Sequence, residues 1–310
     1  MNWLILVGAA VIFDTLRIFI DNYISDVYYK GRDVAGQKLF SAYAKTILGI
    51  AILIAVGFNF SQFEPLTIFL LLLSGILSGI AEVPYYIALG IEDSTNLGIF
   101  IQLAPVFYII LGWLFLGETI SLIQFIAIAI ILVAPILIVL TSRKRSRKVK
   151  LRAVFLAFLY VLISVIGNLI FVKLNADKLE TNILVEEIAI VILGVGLTDF
   201  AIMYLIPKWR KHYYRVQKNS HNKVLIPLTA SFFVGAFKTF AYRLALISAP
   251  AVALASAASD SVEPIVIFFM GIVLTLIWPK FGREKLDKKT VLVHLVATIL
   301  VVIGISLMQL

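Results

Sequence analysis

The sequence predicts an all-α integral membrane protein, with ten transmembrane helices arranged as two inverted five-helix repeats. Three observations carry this prediction. Hydrophobic residues make up 61% of the 310 positions and charged residues 15%, with a mean hydropathy of +1.02. A soluble chain would be about half apolar and about a quarter charged. Residues 95–141 return in altered form at 249–309. Each copy reads apolar helix, a proline (Pro105 or Pro264), apolar helix, a short polar hairpin and a last apolar helix; the hairpins are Gly117-Glu118-Thr119-Ile120-Ser121 and Arg283-Glu284-Lys285-Leu286-Asp287. Finally, Lys and Arg are distributed very unequally between alternate loops. Repeats of membrane-spanning segments are the architecture of proteins that hold a substrate between two halves and rock around it.

A bilayer core requires about 20 mostly apolar residues in helical form. Ten segments meet that length: 3–27, 38–58, 66–90, 96–116, 120–140, 151–173, 184–206, 225–247, 250–278 and 290–309. The first carries three charges and the second is interrupted by Lys45. Both are read as spans because the chain offers no soluble domain to bury them. The first apolar stretch has no charged n-region and no small-residue cleavage site, so it is expected to remain a span. The run Arg143-Lys144-Arg145-Ser146-Arg147-Lys148-Val149-Lys150 separates two sets of five. The predicted organisation is a first half at 1–142, a basic linker at 143–150 and a second half at 151–310.

Five spans per half is an odd number, so the second copy must enter the membrane upside down relative to the first. The loop charges agree. The odd-numbered loops hold twenty-one Lys and Arg (Lys38 counted in the first loop) and the even-numbered loops two. Basic loops stay in the cytoplasm, which places the odd loops there and both termini outside a cytoplasmic membrane.

Composition also excludes chemistry. There is no Cys, and the three His show no ligand spacing, so no metal centre, thiolate nucleophile or other cofactor is expected. The net charge of +9 sits between spans and marks orientation, not nucleic-acid binding. No phosphate-cradling Gly-rich loop ending in Lys-Ser/Thr occurs, which argues against direct ATP use.

The stretch Tyr85-Tyr86-Ile87-Ala88-Leu89, then Leu103-Ala104-Pro105-Val106-Phe107, then Trp113-Leu114-Phe115-Leu116-Gly117-Glu118 resembles EamA-type members of the drug/metabolite transporter superfamily. Those members end the third helix on an aromatic-Ala-Leu sequence, place a Pro inside the fourth, and turn through Leu-Gly-Glu into the fifth. The second half matches more sparsely, through Tyr242, Ala245-Leu246, Pro264 and Glu284, with Arg283-Glu284 in place of Gly-Glu. The resemblance implies ten helices in two inverted halves around a central cavity, and transport of small organic solutes. Family members are often described with both termini in the cytoplasm, whereas the charge distribution here puts them outside.

Ionisable groups near the bilayer centre cost about 2.5–3.5 kcal/mol on insertion scales, so those that persist need a partner or a wet cavity. Asp14, Arg17 and Asp21 share one face of the first helix at i, i+3 and i+7. They form either a self-neutralising ladder or a charged wall of the substrate path. Val11-Ile12-Phe13-Asp14 aligns with Val165-Ile166-Gly167-Asn168, which sets Asn168 at matched depth in the other half. Glu82 and Lys238 precede matched Ala-Leu pairs and are expected to meet, as a structural latch or as part of a binding site. Arg243, Tyr242 and Tyr86 lie nearby in sequence; Tyr residues near span ends also serve as interfacial anchors.

The ninth span begins with the small-residue run 251–261, which permits close helix approach. Asp260 and Glu263 follow on what should be a Pro-broken helix, since Pro264 frees a carbonyl. Carboxyl groups in so apolar a setting are the leading proton-carrying candidates. Glu118 and Glu284 at the hairpins are expected to cap the helices that follow them. Gly75-x-x-x-Gly79 reads as a packing face, while Asp199 and Lys45 receive no role.

The expected function is secondary transport of a small polar or zwitterionic metabolite by alternating access, with proton coupling at the carboxylates. The expected partners are that solute and membrane lipid, in a monomer or homodimer. A flippase for a lipid-linked group and a non-transporting scaffold are the alternatives. A scaffold would tolerate joint neutralisation of Asp14, Glu82, Lys238 and Asp260. An intramembrane enzyme would need a nucleophile or metal cluster, for which the lone His294 does not suffice.

Overall fold

The structure, a computed structural model, describes residues 2–29, 37–57, 62–89, 100–101, 103–142, 150–175, 181–277 and 288–309. Among the described residues the secondary structure is helical throughout. The elements are α1 (Trp3–Ile24, continued by a π-helical turn Ser25–Tyr29), α2 (Lys38–Ala55), α3 (Pro65–Leu89), α4 (Ala104–Leu116), α5 (Leu122–Ser142) and α6 (Leu151–Asn175). They continue with α7 (Thr181–Leu205), α8 (Pro207–Asn219), α9 (Leu225–Ser248), α10 (Val252–Ile277) and α11 (Lys288–Met308). Eight of these are long and apolar enough to cross a membrane, and shorter apolar stretches, Ala104–Leu116 and Leu122–Ala134, lie in α4 and α5. Side chains such as Ile5, Ile54, Phe69, Leu122 and Phe155 point outward and are largely exposed, as lipid contact requires. The chain is a multi-pass membrane protein.

Local chemistry explains the α4–α5 hairpin. Gly117 stands in the left-handed region (φ 70°), a conformation costly for a side chain with a Cβ, and its N–H bonds to the Trp113 carbonyl. The Glu118 N–H reaches back to the Gly112 carbonyl, closing the helix end. Then Ser121 and Gln124 exchange bonds: the Gln124 N–H donates to Ser121 Oγ (3.2 Å) and the Ser121 N–H to Gln124 Oε1 (3.0 Å). This is a capping box. Ser121 and not Glu118 therefore opens α5. The Glu118 carboxylate accepts instead from the Val252 N–H in the first turn of α10 (3.1 Å to Oε2). It does cap a helix N-terminus, but one 134 residues away in sequence. Glu284 and the rest of the second hairpin lie outside the described residues, as does the linker over 143–149.

Two prolines behave differently from expectation. Pro105 occupies the first turn of α4, where a missing N–H costs nothing, and not its interior. α10 is not broken at Pro264: it runs from Val252 to Ile277 through it. The missing donor leaves the carbonyl four residues back, that of Asp260, without its helical partner.

The chain divides into two compact units, each drawing on both sequence halves. The first comprises Met1–Phe19, Ala88–Val161 and Val234–Leu310; the second comprises Ile20–Ile87 and Leu162–Phe233. In the first unit α10 packs on α4, α5 and α11, and α5 packs on α11. The seam is tight: a Cβ on Gly304 would come within 2.2 Å of the Ile131 side chain. The start of α10, Val252–Ser259, is buried without interruption, which its small side chains allow.

In the second unit α2 packs on α7, and α7 contacts α8. α3 approaches α7 so closely that a Cβ on Gly75 would lie 2.2 Å from the Val191 carbonyl oxygen. One on Gly79 would lie 2.8 Å from the Thr198 side chain. Gly75 and Gly79 thus form the packing face their spacing indicates. The Ser74 hydroxyl donates to the Gly167 carbonyl (2.7 Å), tying α3 to α6.

Candidate functional site

The charged groups of the first unit converge from α1, α9 and α10. Asp14 of α1 is 7% exposed and is held between two cations, Arg17 one turn on (2.8 Å) and Lys238 of α9 (2.8 Å). The aliphatic stem of Arg17 lies against Gly235 of α9, where a Cβ would stand 3.0 Å from Arg17 Cδ. Phe13 stacks on Phe237 at 5.5 Å between ring centroids, fixing the register of α1 on α9. The Lys238 ammonium also stands over the Tyr242 ring at 5.7 Å.

α10 supplies the remaining carboxylates. Asp260 accepts a hydrogen bond from the Ser256 hydroxyl one turn earlier (3.1 Å). Both Asp260 and Glu263 lie near enough to Asp14 and Lys238 to interact electrostatically with them. Tyr108 of α4 reaches the Tyr242 hydroxyl, and both tyrosines adjoin the buried Arg243. Asp14, Arg17, Lys238, Tyr242, Arg243, Asp260 and Glu263 are therefore gathered in one unit. Three carboxylates, Asp14, Asp260 and Glu263, thus gather around Lys238 in a setting where charge is expensive to bury unpaired. Tyr108 is an addition that the sequence reading missed, because an aromatic inside an apolar helix carries no signal by itself. No group of three or more His, Asp or Glu side chains suited to hold a metal ion occurs among the described residues.

Glu82 and Lys238, expected to pair, each have an ion-pair partner within their own unit. Lys238 pairs with Asp14, and Glu82 belongs to a second cluster, in the other unit. There Lys38, 1% exposed, bridges Glu82 and the fully buried Asp199, the latter at 2.5 Å. Lys45 contacts Asp199 at 3.1 Å and Glu82 at 3.7 Å. The Ser41 hydroxyl donates to Asp199 at 3.3 Å. Tyr86 lies 5.6 Å beneath the Lys38 ammonium and edge-on to Trp209 of α8, at 6.2 Å. Two bases thus balance two acids. Lys38, counted above among the cations of the first loop, accordingly belongs to α2 and to this buried cluster. Lys38, Ser41 and Lys45 follow the same i, i+3, i+7 spacing as Asp14, Arg17 and Asp21, which is the signal that could have found them.

Three further expectations are placed. Asp21 accepts from the Ser231 hydroxyl at 2.5 Å within the second unit. Asn168 is half-buried on α6 in that unit, beside the Gly167–Ser74 contact. His294 is buried in the first unit and stacks on Phe268 at 3.8 Å.

A solved crystal structure of a protein 13% identical in sequence superposes over 97% of this chain and 96% of its own, with a TM-score of 0.65; the two share a fold. No curated protein matches the sequence significantly. Residues 37–140, from α2 through α5, match the family model described as the EamA-like transporter family. That segment contains the Tyr86–Leu89, Pro105 and Gly117-Glu118 features and the Lys38, Lys45 and Glu82 members of the second cluster. Over residues 37–140 the chain is thus similar to the EamA-like transporter family.

Proposed function

We propose that the protein is a secondary active transporter that moves a small polar or zwitterionic metabolite across the cytoplasmic membrane by alternating access, coupled to protons. The similarity of residues 37–140 to the EamA-like transporter family supports a membrane transporter of the drug/metabolite type. The observation that carries the finer reading is the shared carboxylate of Asp14, held by Arg17 and Lys238 with Asp260 and Glu263 close by. A solute carboxylate can replace Asp14 on Lys238 or Arg17. A solute ammonium can in turn take the carboxylates so released. Each exchange substitutes one ion pair for another, so the desolvation cost of the site is not incurred anew at each cycle. Asp260 and Glu263 are the proton carriers in this reading, and Arg243, Tyr242 and Tyr108 orient the solute. We further assign the ten predicted spans to two inverted five-helix halves, 1–142 and 151–310, joined by the basic segment 143–150.

A ligand-stabilisation screen across amino acids, amines, sugars and nucleotide-like metabolites identifies the solute class, and flux in proteoliposomes then tests coupling. Uptake of a hit is expected to accelerate with an imposed pH gradient. Asp260→Asn and Glu263→Gln should each abolish that acceleration, and Asp14→Asn should abolish flux itself. Equal flux with the gradient collapsed, together with wild-type behaviour of Asp260→Asn, removes proton coupling. Full activity after joint neutralisation of Asp14, Lys238 and Asp260 removes the site.

A further inference from the structure

Residues 207–223 read as a basic loop in sequence, but 207–219 form a helix, α8. Its packed side is aromatic: Trp209, Tyr213 and Val216, at i, i+4 and i+7, are buried in a core with Ile24, Tyr29, Leu39, Ile202 and Met203. Its other side is cationic. Lys211, Arg215 and Lys218 are exposed, also at i, i+4 and i+7, and at about 100° per residue they fall within an arc of about 60° opposite the buried stripe. Between Pro207 and Lys223 there is no Asp or Glu, so nothing within the segment neutralises this arc.

The position of α8 along the chain is equally telling. It starts two residues after the α7 span ends at Leu205, and the α9 span begins at Leu225. Both of its ends are therefore tethered at a membrane boundary. Beside it Tyr204 and Leu205 are 78% and 80% exposed, and Ile226 is 77% exposed, as side chains meeting lipid would be. Arg210 lies over the Tyr204 ring at 5.1 Å, a cation above an interfacial aromatic. A cationic arc at headgroup depth, on a helix rigidly packed from behind, is complementary to an anionic bilayer surface.

We propose that α8 is a docking surface for anionic phospholipid headgroups, engaged through Lys211, Arg215 and Lys218. Because Trp209 contacts Tyr86 and His212 contacts Tyr29 (5.4 Å), headgroup binding also tightens the packing of α8 on its unit. The proposal does not depend on the protein's being a transporter.

The test uses the full chain in a neutral detergent, with phosphatidylglycerol and phosphatidylcholine as probes, read by melting temperature and by lipid retention in native mass spectrometry. Phosphatidylglycerol is expected to raise the melting temperature and phosphatidylcholine not to. Lys211→Gln/Arg215→Gln/Lys218→Gln should melt like wild type without lipid and retain phosphatidylglycerol at least about tenfold less. The charge-conserving Lys211→Arg/Lys218→Arg should behave as wild type. Wild type alone provides a readout that needs no variant: its response should fade between about 0.05 and about 0.5 M salt. Equal effects of the two lipids, an undiminished response in the triple variant, or insensitivity to salt each overturn the proposal. So does stabilisation by polyglutamate but not by phosphatidylglycerol, which would assign the arc to an acidic protein.

Discussion

Lys38 and Lys45 touch the same two carboxylates, yet they should not be equivalent. Lys38 is 1% exposed and Lys45 22%, and Lys38 makes the shorter contact to Asp199. Removing a fully buried cation leaves Glu82 and Asp199 short of one charge in a medium that cannot solvate them. Lys38→Met is expected to cost about 2–4 kcal/mol, and Lys45→Met about 1 kcal/mol, because solvent screens the more exposed partner. Melting temperatures of the two variants in one detergent check the order. Lys38→Met/Asp199→Asn should recover part of the loss, whereas equal shifts for the two single variants would show that burial does not set the cost. This residue scale is where the sequence was least legible. Asp14 and Arg17 were readable because their spacing lies within one helix. Lys238 was paired with Glu82 on matched depth, but its partner, Asp14, stands 224 residues away, and spacing cannot rank partners on different helices. Lys38 was hidden by its position at the start of α2, where a cation is normally a loop charge.

At the scale of the element, glycines separate helices that touch from helices that do not. Gly75→Ala must push α3 away from the Val191 carbonyl, and such overpacking costs about 1–3 kcal/mol. Gly8 of α1 meets nothing within 4 Å, so Gly8→Ala is expected to be neutral or stabilising by up to about 1 kcal/mol. Comparison of their melting temperatures checks this, and equal destabilisation would contradict it. Glu118 offers a pH-dependent counterpart at the α4–α5 hairpin. Burial raises its carboxyl above the ordinary range, with the Val252 N–H opposing. A carboxyl raised in the folded state contributes stability that is fully present below its unfolded value and is lost as pH climbs through the folded one. Glu118→Gln stays neutral and keeps an acceptor for Val252. Its melting temperature relative to wild type is therefore expected to be lowest at about pH 4 and to rise towards neutrality. A difference that is flat with pH would mean that Glu118 titrates as a free surface group. Hydropathy made the long helices legible, since about 20 apolar residues leave little choice. It missed α8, because five cations lower the average while the buried stripe of Trp209, Tyr213 and Val216 speaks only through its helical period.

At the scale of the whole molecule, hydropathy says which segments cross but not which of them pack together. The two units each draw on both halves of the sequence, and α1, α6 and α9 each contribute to both units. What does operate over the entire chain is charge. With Lys38 withdrawn into a buried cluster, the odd loops still hold twenty cations against two in the even loops. The largest groups are the segment 143–152 and the α8 segment 208–223, with seven and six. Translocating such segments is strongly disfavoured, so both should remain on the cytoplasmic side. With five spans per half, as proposed, the second half is expected to be inverted and both chain ends to lie on the opposite side. The absence of Cys makes this directly measurable, because one introduced thiol is the only thiol. Ser146→Cys is expected to react with a membrane-impermeant maleimide only after the cells are opened, and a cysteine appended after Leu310 is expected to react in intact cells. Labelling of Ser146→Cys from outside, or protection of the C-terminal thiol, would reverse the orientation and with it the leaflet that α8 faces.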